Sequence, residues 1–204
     1  MKVIKPTDNE IWAKFKNGDN ESLSLIYTKN SRKLYLYGLK LTTNHTIIED
    51  SIQDLFSDLV RTRTTLGATD NIQFYLLKSF KRRLLRQLQK EKRYSLEDKD
   101  NEYVFEISYS IEHDIIVEEK SNRKVSLLHK ALNDLTPRQK EAIYLKFTEQ
   151  LDYEEISEIM EMSIEGCRNL IYRAIKSLKE SFHANNSFIF LLLRAAIKPI
   201  ENTV

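Results

Sequence analysis

The chain has 204 residues, of which 41% are hydrophobic, and this is enough for one or two compact domains. Four glycines and three prolines are too few for a many-stranded sheet or for glycine-rich phosphate loops, and a single cysteine excludes an internal disulfide and fits a reducing compartment. The formal net charge is only +2, and the sequence contains neither a signal peptide nor an apolar run of about 18 residues. These features predict an all-α, cytoplasmic protein.

The first predicted domain covers residues 1–93. Its first helix contains Trp12 and Phe15 and ends at Gly18. The apolar positions that follow predict a second core face, formed by Leu23, Ile26, Tyr27, Leu34 and Tyr35. A polar loop around Gly67 then separates the third predicted helix from the fourth.

The third predicted helix has an acidic outer face. Its carboxylates recur at four-residue spacing with two polar neighbours: Asp50, Asp54 and Asp58, beside Glu49 and Gln53. Like charges at this spacing repel one another by roughly 0.2–0.5 kcal/mol per pair. Three interpretations stay open, namely a solvated face, a docking face for a basic partner and a carboxylate metal site. The metal site is disfavoured because no histidine or second acidic cluster accompanies the face.

The fourth predicted helix has the opposite charge. Phe74 and Tyr75 lie near its start, and its outer side carries cations: Lys78, Lys81, Arg82, Arg86 and Arg93. Cations can follow phosphates while aromatic rings stack on unpaired bases, which is worth about 1–3 kcal/mol per base. The pattern therefore predicts a surface for single-stranded nucleic acid. The alternative is core aromatics behind a solubilising face.

A change of charge marks the end of this first domain. Residues 61–93 contain ten Lys or Arg against Asp70 and Glu91, whereas residues 94–122 contain nine acids and only two lysines. Because their periodicity is weak, residues 94–122 are predicted to form an acidic linker. Several apolar residues in the linker predict that it docks on another part of the assembly.

The second predicted domain covers residues 123–182 and carries three helix start signals. These are two capping boxes and one N-cap: Thr136 with Gln139, Asp152 with Glu155, and Ser163. A short helix followed by a longer one predicts a helix-turn-helix. The longer helix has a polar, basic outer face: Arg168, Asn169, Tyr172, Arg173 and Lys176. This face predicts DNA contact in a major groove, with a merely solvated face as the alternative, and Cys167 on the opposite face is expected in the core.

Neither a metal nor a cofactor is predicted. The four histidines are scattered and share no ligand spacing. Residues 183–204 form a tail with an apolar run, for which an extra packed helix is preferred over a partner-binding patch or a membrane-surface segment.

Four segments resemble, in order, the small two-domain sigma factors of bacterial RNA polymerase known as the extracytoplasmic-function group. They are I-E-D-S-I-Q-D-L-F at 48–56, I-Q-F-Y-L-L-K-S-F-K-R-R at 72–83, L-T-P-R-Q-K-E-A-I at 135–143, and L-D-Y-E-E-I-S-E-I-M-E-M-S at 151–163 continuing to Y-R-A-I-K-S-L at 172–178. Their order and spacing make the resemblance specific. Tyr75 departs from the pattern where tryptophan is common, and Glu161 replaces a frequent turn glycine, which predicts either a strained conformation or a different path for the turn.

The resemblance implies three sets of site residues. The set that binds the clamp coiled coil of the polymerase β′ subunit is Glu49, Asp50, Gln53, Asp54 and Phe56. The set that contacts the −10 element, with a loop that captures an unstacked base, is Arg63, Asn71, Tyr75, Lys78, Arg82 and Arg86. The set that reads the −35 element is Ser163, Arg168, Asn169, Tyr172, Arg173 and Lys176.

The resemblance also implies partners and a function. The partners are core RNA polymerase, promoter DNA and an anti-sigma factor, often membrane-anchored, and the acidic linker is similar to the connector threaded into polymerase channels. The expected function is promoter-specific transcription initiation, with no enzymatic activity and no small-molecule substrate. The alternatives are a helix-turn-helix regulator with an N-terminal sensing or dimerisation module, a metal-dependent nuclease, and a protein that only sequesters part of the polymerase.

Overall fold

The computed structural model describes residues 6–94, 104–107 and 130–182, without the side chains at 92–94 and 181–182. Every regular element within these residues is a helix, which confirms the all-α prediction. The chain divides into two compact units, Met1–Asp100 and Asn101–Val204. Most of the predicted acidic linker and the whole predicted tail lie outside the described residues, so the boundaries at residues 93 and 122 stay predictions.

The first unit contains four helices and one short 3-10 turn. In chain order they are α1 (Asp8–Lys16), α2 (Asn20–Leu41), α3 (His45–Thr62), the turn Arg63–Thr65, and α4 (Ile72–Tyr94). The first three helices have polar N-caps, at Thr7, Asp19 and Asn44, whose side chains accept hydrogen bonds from the first turn. Gly18 adopts a left-handed conformation, with φ of 93°, directly after α1, as a glycine beyond a helix end is expected to do.

Helices α2, α3 and α4 pack around the core of the first unit. Trp12, Tyr37 and Phe80 are its largest buried side chains. Gly38 lies where α2 approaches α3. A Cβ atom at this position would stand only 2.9 Å from Cγ2 of Ile48. Glycine therefore permits a close approach of the two helices that alanine would oppose.

Two sequence predictions for this unit were wrong in detail. Tyr27 was expected in the core but is 49% exposed, because α2 turns Ile26 and Leu34 inward instead. Lys81 was expected on the outer side of α4 but is buried. A 3.6-residue period leaves flanking positions ambiguous, and the packing of the neighbouring helices decides which of them is covered.

Within its described residues, the second unit contains a helical turn at residues 130–133 and three helices, α5 (Pro137–Phe147), α6 (Tyr153–Ile159) and α7 (Ile164–Phe182). Both predicted capping boxes are present, at Thr136 and at Asp152. The Ser163 hydroxyl accepts a hydrogen bond from the Gly166 amide at 3.0 Å, so it caps α7 as predicted. The order of a short helix, a turn and a longer helix is that of a helix-turn-helix.

The turn between α6 and α7 is strained. Glu161 adopts a left-handed conformation with φ of 51°, which is the first of the two alternatives that the missing glycine left open. The Met162 amide donates to the Ser157 carbonyl at 3.0 Å and closes the turn. The inner faces of the three helices meet in a core that includes Ile143, Ile156 and Cys167.

The described part of the predicted linker packs on this second unit. Phe105 and Ile107 are buried, and the Phe105 ring meets the Tyr144 ring of α5 edge-on with 5.8 Å between centroids. Between them, Glu106 forms an ion pair with the Lys140 ammonium at 3.2 Å. Alternation of two inward apolar side chains with one outward carboxylate is the pattern of an extended segment lying on a helix surface.

Candidate nucleic-acid interface and docking groove

The acidic face of α3 is partly neutralised by α4. The Arg83 guanidinium pairs with the Asp58 carboxylate and lies 3.8 Å from that of Asp54. The side-chain amide of Gln87 donates to Asp54 at 3.3 Å, and its carbonyl accepts from the Ser51 hydroxyl at 2.6 Å. Two of the three carboxylates that the sequence placed on one solvent face are therefore engaged within the protein.

The pairing alters the chemistry of Asp58. Hydrogen bonds, first from Arg83 and then from Arg61, hold the pKa of its carboxyl below the ordinary value. Asp58 therefore remains charged to a lower pH than an isolated aspartate. The negative charge of Asp58 therefore contributes to the ion pair that joins α3 to Arg83 of α4.

The other side of α3 borders an open groove of about 1170 Å³ between α2 and α3. Its apolar lining comes from both helices: Leu23, Tyr27, Tyr35, Ile52, Phe56 and Val60. Phe56 is buried beneath the exposed ring of Tyr27, which it meets edge-on at 4.8 Å between centroids. Glu49 and Gln53 also line the groove, and Asp50 beside them is exposed.

The structure therefore divides the five residues predicted to bind the polymerase. Glu49, Asp50 and Gln53 are exposed at or beside the groove, and Phe56 forms part of its wall. Asp54 is exposed but faces α4 through Arg83 and Gln87. An apolar groove with a polar edge is the usual form of a surface that receives a helix of another protein.

The loop between α3 and α4 lies against α1. The indole Nε1 of Trp12 donates to the Gly67 carbonyl at 2.8 Å, and the Asp8 carboxylate accepts from the Ile72 amide at 2.9 Å. The Tyr75 ring packs on the Trp12 indole with 5.1 Å between centroids. The sequence analysis did not assign Trp12 or Asp8 to this site. Hydrogen bonds between residues 55 and 64 positions apart leave no local pattern in the sequence.

Two further residues of the predicted −10 set also lie in this region. Arg63 opens the 3-10 turn and is half-buried, with its guanidinium beside Gly18. Asn71 precedes α4, and its side-chain oxygen accepts from the Phe74 amide at 3.0 Å, so it acts as an N-cap.

The cations of α4 do not all face the same way. Arg82 and Arg86 are exposed, whereas Lys78 is half-buried with its ammonium 5.7 Å from the centre of the Phe74 ring. Arg83 turns toward α3 and Lys81 is buried. The available basic surface is therefore narrower than the sequence indicated.

The outer face of α7 is exposed along its length. All five of its predicted DNA-contacting residues lie in solvent: Arg168, Asn169, Tyr172, Arg173 and Lys176. Tyr172 is 66% exposed, which is unusual for an aromatic side chain.

Two of the cations on α7 have acidic neighbours. Arg168 lies 3.5 Å from the Glu154 carboxylate and 5.6 Å from the centre of the Tyr153 ring, both on α6. Lys176 lies 3.9 Å from Glu180, one turn further along α7. Both pairs are exposed, so DNA phosphates can compete for the cations at little cost.

The inner face of α7 has no reactive character. Burial raises the pKa of the Cys167 thiol, so this side chain stays protonated and packs as a small apolar group. The described residues contain no group of His, Cys, Asp or Glu side chains that could hold a metal ion. No helix in the part of the chain that the structure describes is long and apolar enough to span a bilayer.

These features define a class of protein, an all-helical protein within the described residues, with a helix-turn-helix unit. Residues 126–178, which include α5, α6 and most of α7, match the family model described as "Sigma-70, region 4". No curated protein sequence matches the chain.

Two solved structures share the fold. CnrH, solved in complex with the cytosolic domain of CnrY, has a TM-score of 0.55 and 13% identity, covering 88% of this chain and 99% of that one. The sigma factor RpoE from Bartonella quintana, solved with the anti-sigma factor NepR, has a TM-score of 0.54 and 21% identity, covering 82% and 98%. The family match confirms the resemblance to sigma factors over residues 126–178, and the two structures show that the fold is shared.

Proposed function

We propose that this chain directs core RNA polymerase to promoters as an extracytoplasmic-function sigma factor. The observation that carries the proposal is the match of residues 126–178 to sigma region 4, in a unit whose helix α7 exposes its polar and basic face. The chain would act in the cytoplasm and perform no chemistry of its own. Nucleotide addition belongs to the polymerase.

The −35 element is assigned to the outer face of α7. A major groove about 12 Å wide admits a single α-helix, whose side chains then reach base edges and phosphates. Arg168 and Arg173 can each donate two hydrogen bonds to a guanine or a phosphate, and Asn169 can pair with an adenine. Ser163 caps the end of the helix that enters the groove first.

The −10 element is assigned to the loop and first turns of α4. Tyr75 is half-buried against Trp12, which leaves part of its ring for stacking on an unpaired base. Arg82 and Arg86 are exposed one turn apart and can follow the phosphates of a single strand. Arg63 and Asn71 border the loop, and Lys78 adds a cation beside Phe74.

The core polymerase is assigned to the groove between α2 and α3. A helix of the β′ clamp coiled coil would cover Tyr27, Phe56 and Val60, and its basic side chains would meet Glu49 and Asp50. Charge complementarity of this kind sets the orientation and the rate of an encounter, while the apolar wall supplies contact area.

An anti-sigma factor is the proposed regulator of this chain. The RpoE structure with the same fold contains such a partner, NepR. An inhibitor that covered the groove or the α7 face would compete with polymerase or with DNA. Regulation would then require no change in the fold of either unit.

The proposal is tested by transcription in vitro with purified core polymerase and a genomic DNA library, followed by sequencing of the 5′ ends. We expect starts that appear only when the protein is added and that share a sequence motif near −35. The variant Arg173→Ala should give these starts at a reduced level while retaining binding to core. An absence of protein-dependent starts, with binding to duplex DNA in the absence of polymerase, would reject the proposal in favour of an ordinary helix-turn-helix regulator.

A further inference from the structure

The loop that separates the 3-10 turn from α4, residues 66–71, is held by side chains of α1. We call it the reading loop, in keeping with its proposed −10 role. Two hydrogen bonds fix it, one from the Trp12 indole to the Gly67 carbonyl at 2.8 Å and one from the Ile72 amide to the Asp8 carboxylate at 2.9 Å. The first bond holds the middle of the reading loop and the second holds its junction with α4.

The donor end of the Trp12 bond is buried, whereas Gly67 at its acceptor end is exposed. The Trp12 side chain is 1% exposed and packs between the rings of Phe15 and Tyr75, at 5.3 and 5.1 Å between centroids. A buried indole N–H requires an acceptor, and the carbonyl of Gly67 is the one it has. One side chain therefore joins the core of the unit to the reading loop and to the ring of Tyr75.

Gly67 is the residue of the reading loop that most needs such a restraint. A Cβ atom there would meet no other atom within 4 Å, and its backbone is not in the left-handed region. The glycine is required neither for space nor for an unusual conformation. It leaves the loop backbone with more freedom than any other residue would, and the bond from Trp12 removes that freedom.

We propose that Trp12 and Asp8 are positioning residues that preorganise the reading loop for base capture. The inference rests on the −10 role proposed above. A loop already held in its bound conformation loses less entropy when a base enters, and a fixed backbone discriminates between bases better than a mobile one. Neither residue is required to touch DNA.

The test uses holoenzyme made from core polymerase and the full chain. Its probe is a pool of single-stranded DNA with a randomised window, and bound strands are sequenced. Trp12→Phe keeps an aromatic ring and removes the donor, and Asp8→Ala removes the acceptor. The measured quantity is the ratio of enrichment between the best and the poorest base at the most selective position of the window. We expect this ratio to fall roughly five- to tenfold in each variant, which corresponds to the loss of one hydrogen bond. Binding to core should not change.

Matched controls separate positioning from general loss of packing. Phe15→Leu disturbs the same aromatic cluster without touching the loop, and Glu10→Ala removes the capping box of α1. Both should keep the selectivity of the natural chain. Gly67→Ala, combined with Trp12→Phe, should recover part of the selectivity, because alanine restricts the backbone that the lost bond had restrained.

Hydrogen exchange of the chain alone supplies a second measurement. The amides of residues 66–71 should exchange faster in Trp12→Phe and in Asp8→Ala than in the two controls. Unchanged selectivity in both variants, or an equal loss in the controls, would overturn the inference while leaving the proposed function standing. Failure of the natural holoenzyme to enrich any sequence would reject the proposed function and the inference together.

Discussion

Helices α3 and α7 both carry charged faces at helical spacing, yet the two faces differ in how they are used. On α3, Asp54 and Asp58 turn toward Arg83 of α4, and only part of the acidic face remains for an outside partner. On α7 the cations stay in solvent, and their acidic neighbours are themselves exposed. One face is shared between folding and docking, whereas the other is wholly at the surface.

The difference follows from what lies beside each helix. When two helices pack along their length, the residues that flank the contact lie close to side chains of the neighbouring helix. Opposite charges at these flanking positions can then form ion pairs between the two helices. Helix α7 buries a single stripe that includes Cys167 and Ile171, so its outer face has no helix packed on it within the described residues. Spacing alone therefore identifies a charged face, and the packing decides whether a partner can reach it.

Reversal of the carboxylates next to the groove is the strongest test of this division. The double variant Glu49→Lys and Asp50→Lys places two cations where a basic partner is proposed to dock. We expect affinity for core polymerase to fall roughly tenfold to a hundredfold, as like charges at an interface oppose association. Titration of a fluorescently labelled chain with core at low ionic strength measures the loss.

The control for this test is Asp54→Asn, which weakens the contact with Arg83 without reversing a charge. It should bind core nearly as well as the natural chain. If Asp54→Asn weakened binding as much as the double reversal, the acidic face would act as one surface and the comparison with α7 would fail.

A second test concerns the two arginines of α7. Arg173→Ala should reduce affinity of the holoenzyme for −35 duplex roughly tenfold, the usual cost of one arginine contact to a base. Arg168→Ala should cost less, because Arg168 must first leave Glu154 and the Tyr153 ring. Fluorescence anisotropy with a labelled duplex gives both values.

The variant Glu154→Ala provides the complement to this pair. It releases Arg168 and removes a negative charge near the DNA, so affinity should rise slightly. Equal losses in the two arginine variants, with no gain in Glu154→Ala, would mean that the ion pair on the surface of the unit does not modulate binding.

Features set by local chemistry could be predicted from the sequence. The capping boxes at Thr136 and Asp152 depend on residues three positions apart, and both are present. Because the family pattern has glycine at Glu161, the sequence predicted a strained conformation or a different path there, and the φ of 51° shows the strained conformation. The 3.6-residue period of α7 predicted which of its faces is exposed. The prediction is confirmed because none of the described helices covers that face.

Features set by distant contacts could not be predicted in this way. Lys81 was placed in solvent by the period of α4 but is buried, and the pairing of Arg83 with two carboxylates of α3 depends on how the two helices pack. Trp12 was assigned to the core correctly, but its bond to Gly67 depends on the path of a loop 55 residues away.

A third test addresses the turn that presents α7. Glu161→Gly should stabilise the chain by about 1 kcal/mol, because glycine adopts a positive φ without the steric cost that a Cβ atom brings. Gln150→Gly, at φ of 59°, is an independent repeat with the same expected sign. Thermal unfolding measures both, and DNA affinity should stay unchanged. A loss of stability at both positions would show that these conformations are not strained.

The smallest expected effect is the dependence of Asp58 on acid. Its pKa is lowered in the folded protein by hydrogen bonds from Arg83 and then Arg61, so the unfolded chain binds a proton at higher pH than the folded one. The stabilisation is complete above the unfolded value of about 3.9 and is lost as the pH falls through the folded value. The amide introduced by Asp58→Asn does not titrate, so the difference in unfolding free energy between the natural chain and this variant should shrink as the pH falls below about 4. Urea unfolding at a series of pH values tests this. The difference should also shrink with added salt, because Asp58 is accessible to solvent. A difference that stayed constant with pH would mean that the ion pair between α3 and α4 does not stabilise the fold.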